Sequence, residues 1–132
     1  MPAKNYRELR VYQLAFESSA RIQELAKEFP AEEQHSLTDQ IRRSSRSACA
    51  NIAAAWRKRR YPDQFVSKLS DSDAESAETI VWLDFALRFG YLPADAHKEL
   101  TDHYENICSQ LTLIMQEPEK WKPRGAREEP GA

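Results

Sequence analysis

Apolar and small residues recur along this chain in alternating steps of three and four, and prolines divide the pattern into four segments. Val11, Ala15, Ser18, Ile22, Leu25 and Phe29 form the first seam, over a segment from about Arg7 to Glu28. Phe29-Pro30 ends it, because a residue before proline is pushed out of the helical region. The second seam is Leu37, Ile41, Ser45, Ala48, Ile52 and Trp56, with Ser36 placed as an N-cap and Asp39 three residues after it. The third segment starts at Pro62, suited to a first helical turn, with Asp63 favourably placed for the helix dipole. Its seam reads Phe65, Leu69, Ser72, Ser76, Ile80, Leu83 and Leu87, and Gly90 supplies a C-terminal stop. The fourth opens at Pro93, runs through Ala96, Leu100, Tyr104, Ile107, Leu111 and Ile114, and ends at Pro118.

No segment alternates strictly as a half-buried strand does, so the expected fold is all-α. Four helices with short connections predict an antiparallel up-down four-helix bundle over residues 1–117. The remaining residues, 118–132, are polar and rich in proline and glycine. They are expected to form a disordered tail from which only Trp121 offers a side chain able to dock back.

Composition narrows the class. At 132 residues, with 41% hydrophobic and 30% charged residues and three glycines, the chain fits one helical domain with a real core. No run approaches the length needed to span a bilayer, and MPAKNYRELR has no apolar signal core, so the expected location is the cytoplasm. Cys49 and Cys108 sit among apolar neighbours and are expected to be reduced core thiols rather than a disulfide.

Charge changes the picture at one place. From Ile41 to Arg60 the chain reads IRRSSRSACANIAAAWRKRR, with Arg42, Arg43, Arg46, Arg57, Lys58, Arg59 and Arg60 and no acid, although the formal net charge is −2. At about 100° per residue, Arg42, Arg43, Arg46, Arg57 and Arg60 share an arc of roughly 100° opposite the apolar seam. Ala50, Ala53 and Ala54 lie between the two arginine groups. A face bare in the middle and cationic at both ends suits close approach by another surface and pairing with phosphates or carboxylates. Three uses of this face are open: a solvated face with ion pairs to acids such as Asp71, Asp73, Glu75, Glu78 and Asp84, a polyanion-contacting surface, or a subunit interface. Trp56 and Tyr61 flank the Arg57–Arg60 run, Trp56 being better suited to the core than to base stacking.

Catalytic chemistry finds no matching constellation. A di-iron bundle needs two inward Glu-x-x-His pairs, whereas Glu32-Glu33-Gln34-His35 falls in a connection and His97 and His103 have no such partner. Bundle ribonucleases of the HEPN type need a histidine closely following an arginine, and Arg88 to His97 is too long a spacing. There is no Cys-x-x-Cys pair and no glycine-rich phosphate loop. The expectation is a protein that is not an enzyme and takes no metal or cofactor.

Several short matches, in order along the chain, carry a family resemblance. They are Leu9-Arg10-Val11-Tyr12-Gln13-Leu14-Ala15, Phe29-Pro30, Leu37-Thr38-Asp39-Gln40-Ile41-Arg42-Arg43-Ser44, Ser47-Ala48, Asn51-Ile52-Ala53, Trp56-Arg57-Lys58-Arg59, Glu78, Trp82-Leu83 and Gly90-Tyr91-Leu92. Over roughly Tyr6 to Met115 the chain resembles the bacterial four-helix-bundle proteins encoded in intervening sequences of large-subunit rRNA genes. These are related to the accessory variability determinants of diversity-generating retroelements. The resemblance implies a ring-shaped homo-oligomer, a pentamer, and its retroelement members imply binding of nucleic acid and of a reverse transcriptase.

Two positions depart from the family pattern: Ala54 stands where a glutamate usually follows Asn-Ile-Ala, and Ala74-Glu75 replaces a frequent Gly-Ser pair. Asn51 matches a recurrent family position and is expected to be a paired, structural polar residue of the core that fixes register. The expected function is therefore a non-catalytic, oligomeric accessory or scaffold protein. It would bind RNA or DNA backbone through Arg42, Arg43, Arg46, Arg57, Lys58, Arg59 and Arg60, the alternative being a module that docks an acidic protein partner.

Overall fold

The structure, a computed structural model, describes residues 3–123. Four helices carry the fold: α1 (Arg10–Leu25), α2 (Leu37–Arg57), α3 (Pro62–Arg88) and α4 (Ala94–Gln116). Short 3-10 turns flank them, and no strand occurs among the described residues. Each helix packs on the next, and α4 closes back on α1. Partners run in opposite directions along neighbouring helices. On α2 and α3, Ser44 meets Thr79 while Ala48 meets Ser72, and on α1 and α4, Ser18 meets His103 while Arg21 meets Glu99. The helices therefore form an antiparallel four-helix bundle.

The core is the set of seams meeting along the axis. Val11, Ala15 and Ile22 of α1 join Ile41, Ala48 and Ile52 of α2, Phe65, Leu69 and Leu83 of α3, and Leu100, Tyr104, Ile107 and Leu111 of α4, each at most 2% exposed. Removing this apolar area from water is the main stabilising term. Between α2 and α3 the contact is made of small residues. The Ser44 and Thr79 hydroxyls lie 2.8 Å apart, the Ser72 hydroxyl donates to the Ala48 carbonyl at 2.6 Å, and Thr79 also donates to the Glu75 carbonyl. Every hydroxyl in this trio is paired, which removes the penalty of burying it and lets two backbones approach closely.

The third seam differs from the expected one. The buried positions of α3 are Phe65, Leu69, Ser72, Ser76, Thr79, Leu83 and Ala86, a strict seven-residue repeat. Ile80 is half-buried and Leu87 is 37% exposed. A helix this long keeps its seam on the core by following a 3.5-residue period, so Thr79 and Ala86 turn inward in place of their larger neighbours.

The helix ends show two further differences. Ser36 stands before α2 but does not cap it: its hydroxyl donates to Glu33 Oε1 at 2.5 Å, and the same carboxylate accepts from the Leu37 N–H at 3.2 Å. Glu33 is thus the α2 cap, and it also accepts from the Tyr91 hydroxyl at 3.0 Å. These bonds hold its carboxyl below the ordinary range, the Ser36 hydroxyl contributing most. At the other end of α3, Gly90 has φ +79°. Its N–H donates to the Leu87 carbonyl, and the Tyr91 N–H to Ala86, the paired closure that needs a left-handed residue.

The bundle does not end at residue 117. Pro118–Trp121 form a 3-10 turn, and Trp121 packs over Phe65, ring centroids 6.4 Å apart, against the end of the core. The part of the expected tail at residues 124–132 lies outside the described residues.

Candidate nucleic-acid interface

Helix α2 places its charges by its own periodicity, but only as far as it extends. It ends at Arg57, and Lys58, Arg59 and Arg60 form a turn leading to the extended Tyr61 and to Pro62 at the start of α3. The expected helical arc therefore holds Arg42, Arg43, Arg46 and Arg57, and Arg60 leaves it.

The seven cations then divide by what they touch. Arg42 is half-buried, its Nη2 donating to the Gln23 carbonyl of α1 at 3.3 Å. Arg46 is exposed, and its Nη2 donates to Gln23 Oε1 at 2.7 Å. Arg43 is exposed and 3.9 Å from Asp39, a loose surface pair of little energetic weight. Arg57 and Lys58 are exposed. Arg59 turns back on the helix: its guanidinium sits 3.6 Å from the Trp56 ring centroid and its Nε donates to the Trp56 carbonyl at 2.8 Å. Burial, then the neighbouring charge of Arg57, pushes its pKa down. Arg57, Arg59 and Arg60 line a niche of about 150 Å³ with Trp56 and Pro123. Trp56 is itself buried, so it is core and platform for Arg59 rather than a free stacking surface.

The acids of α3 leave the arginines of this face alone, although Glu75 hydrogen-bonds Ser47 of α2. Among the described residues no α2 arginine pairs with Asp71, Asp73, Glu75, Glu78 or Asp84. Asp71 lies near Lys68, and Asp84 holds His97 at 2.8 Å. Glu75 is half-buried, and its carboxyl is pushed up by that burial and by the charge of Glu78. The α2 cations therefore keep most of their field.

Asn51 is not a core residue. It is half-buried, and its amide donates to the Ser47 carbonyl at 3.0 Å and the Ser47 hydroxyl at 3.2 Å, a bond within one helical turn that fixes no interhelical register. Both cysteines are free thiols, Cys49 buried and Cys108 partly so. Burial raises both, Cys108 to about 12, which removes thiolate reactivity at neutral pH. His97 and His103 make contacts between helices, to Asp84 and Ser18. None of the described helices is long and apolar enough to cross a membrane.

Periodicity did not reveal the site's surroundings. Beside the arginine face, α1 and α2 enclose a groove of about 520 Å³. Around the corner, Val81, Phe85 and Phe89 stand 46%, 44% and 52% exposed at the end of α3. The groove's aromatic wall is Tyr6 and Tyr12, both half-buried, with the exposed Phe16, and none of them is among the site residues expected from sequence.

Comparison with known proteins agrees with this architecture. No curated protein matches the chain. Among solved structures it is similar to a protein of unknown function from the S23 ribosomal protein family of Bacteroides thetaiotaomicron, with a TM-score of 0.71 and 29% identity, covering 80% of this chain and 98% of that one. The family model for the 23S rRNA-intervening sequence protein matches residues 7–113. With the first three helices and most of α4 inside that span, the arginine-bearing second helix among them, the chain belongs to the 23S rRNA-intervening sequence protein family.

Proposed function

We propose that this protein is a non-catalytic accessory or scaffold that binds the backbone of RNA or DNA through the outer face of α2. The observation that carries this is the exposure of Arg43, Arg46 and Arg57 on a helix whose single acid, Asp39, lies at its far N-terminal end, with exposed Lys58 in the turn that follows. Arg42 orients the face by locking onto α1, and Arg59 shapes the niche beneath Arg57 and Arg60. Guanidinium groups paired with phosphates predict weak sequence preference and steep salt dependence. Membership of a family named for an rRNA intervening sequence supports a nucleic-acid partner. A short structured RNA and a single-stranded DNA, titrated at low salt and followed by anisotropy, test it. Micromolar binding that weakens as salt rises is expected, and an Arg43/Arg46/Arg57→Ala variant should lose it. Binding equal in that variant and the wild type refutes the proposal.

A second reading rests on a different surface. The exposed Val81, Phe85 and Phe89, with the Trp82–Phe85 and Phe85–Phe89 rings 6.1 and 5.7 Å apart, form an apolar ridge of the kind that marks protein contacts. On this reading the chain assembles into a homo-oligomeric ring, a pentamer, in the cytoplasm, and the basic face docks an acidic protein such as a reverse transcriptase. Sedimentation of wild type and Phe85→Asp tests the assembly: a monomeric wild type across a concentration series refutes it.

A further inference from the structure

The groove between α1 and α2 has a composition that neither surface above explains. One wall is aromatic: Tyr6 and Tyr12 meet edge to face with centroids 4.9 Å apart, and Tyr12 and Phe16 lie 6.0 Å apart with planes at 30°. Phe16 is 52% exposed, so its face is presented rather than packed. The floor includes Ala20, Ala50 and Ala53, which leave the space open. Cations stand at both ends. Arg46 is braced by Gln23 at one, and the Arg7 guanidinium lies over the Tyr6 ring at 4.6 Å at the other. None of the ten lining residues is acidic.

We propose that this groove is a stacking site for unpaired bases of a single-stranded nucleic acid whose phosphates run along α2. The inference rests on the nucleic-acid reading above and deepens it by naming the class of strand. Arg46 and Arg57 are eleven residues apart on one helix, about 16 Å along its axis, so phosphates held at both leave nucleotides between them over Ala50 and Ala53. These are the positions that open into the groove. A base turned inward meets the flat faces of Tyr12 and Phe16, which accept any base because every base has a π-face. A duplex keeps its bases stacked inside and reaches only the arginines. Charge complementarity fixes the occupant: an apolar peptide would fill the floor but bring no counter-charge to the cations at either end.

The experiment compares a labelled oligo-uridine single strand with an RNA duplex of equal length, both titrated with the full chain at low salt. Phe16→Ala, at an exposed position, should weaken the single strand about tenfold and the duplex less than twofold. Ala50→Leu, which fills the floor without touching an aromatic, should do the same. Arg57→Ala should weaken both. Single-strand binding within twofold of wild type in Phe16→Ala and Ala50→Leu overturns the inference while leaving the α2 reading intact. Failure of wild type to bind either RNA removes both. Sedimentation showing that the two groove variants dissociate an oligomer without changing single-strand affinity also overturns it, the groove then being occupied by a second copy.

Discussion

Arg59 and Arg57 are two residues apart in a run of four cations, yet their substitution should have opposite consequences. Arg59 stacks on Trp56 at 3.6 Å and caps the last turn of α2 through its Nε bond to the Trp56 carbonyl. A partly desolvated cation–π contact is worth about 0.5–2 kcal/mol, and a hydrogen bond from a charged donor about 1.5–3 kcal/mol when buried. Arg59 is only partly buried, so both values are reduced by solvent screening, and Arg59→Ala should cost about 1–2 kcal/mol. For a domain of this size that lowers the melting temperature by about 4–8 °C. Arg57 has no ion-pair or hydrogen-bond partner among the described residues, and its charge opposes that of Arg59. Arg57→Ala should leave stability within about 0.5 kcal/mol of wild type, on the favourable side. In nucleic-acid titrations across salt the pattern reverses. Arg57→Ala should flatten the log–log salt slope by about 0.7 for a single strand or 0.9 for a duplex, and Arg59→Ala should flatten it less. Arg59→Lys keeps the charge but not the planar stack, so it should restore less than half of the lost stability. Thermal and urea melts of the three variants, paired with salt titrations, decide the matter. An Arg59→Ala protein that melts within a degree of wild type refutes the assignment.

Glu33 binds its proton less readily in the folded chain than in the unfolded one, so its capping contribution is full above 4.5 and is lost as pH falls through its lowered folded value. Glu33→Gln should therefore melt below wild type at pH 7, and the gap should close in strongly acidic buffer; a gap independent of pH counts against the cap. Glu75 has the opposite sign: its folded carboxyl is raised by burial and by Glu78, so ionisation destabilises the fold above that value and protonation relieves it. Glu75→Gln should raise stability at pH 7 by about 0.5 kcal/mol, with the gain shrinking as pH falls through the raised folded value and gone below 4.5, both read from melts. A Cβ at Gly90 would meet nothing within 4 Å, yet φ is +79°, so Gly90→Ala should cost about 1 kcal/mol through backbone strain alone, and a Gly90→Asn protein that is no more stable than Gly90→Ala would contradict this. Ser44→Ala with Thr79→Val should cost less together than the sum of the singles, by about 1 kcal/mol in a double-mutant cycle, because each single change deprives a buried hydroxyl of its 2.8 Å partner.

The bundle was legible because hydrophobic spacing is a local property that the core merely confirms. Every expected seam residue of α2, from Leu37 to Trp56, is buried, and Pro62, Pro93 and Gly90 stand where helix ends require them. The misses fall where a neighbour decides between two adjacent candidates. Sequence spacing admits Ile80 and Leu87 as readily as Thr79 and Ala86. What favours Thr79 over Ile80 is the close approach of α2 and α3 at Ser44, Ala48 and Ser72, and the 3.5-residue period carries the same seam on to Ala86. Ser36 and Glu33 offer the same ambiguity, since each is a capping residue type; Tyr91, far away in sequence, braces the carboxylate.

The candidate site was legible in charge but not in availability. Composition counts seven cations, whereas function depends on how many remain uncommitted after the helices pack. Spacing cannot disclose the contacts that draw off Arg42, held by a carbonyl of α1, and Arg59, held by the ring three residues before it once the helix stops at Arg57. The turn from Lys58 to Arg60 joins that stop to the extended Tyr61 before Pro62, so Arg57 is the last side chain on the helical face. The groove was less legible still, because half its wall comes from α1 and its cationic ends come from Arg7 and Arg46, residues separated by thirty-nine positions. Packing thus converts a basic run into a narrower surface with an aromatic edge, and the affinity of Phe16→Ala for single strands measures whether that edge is used.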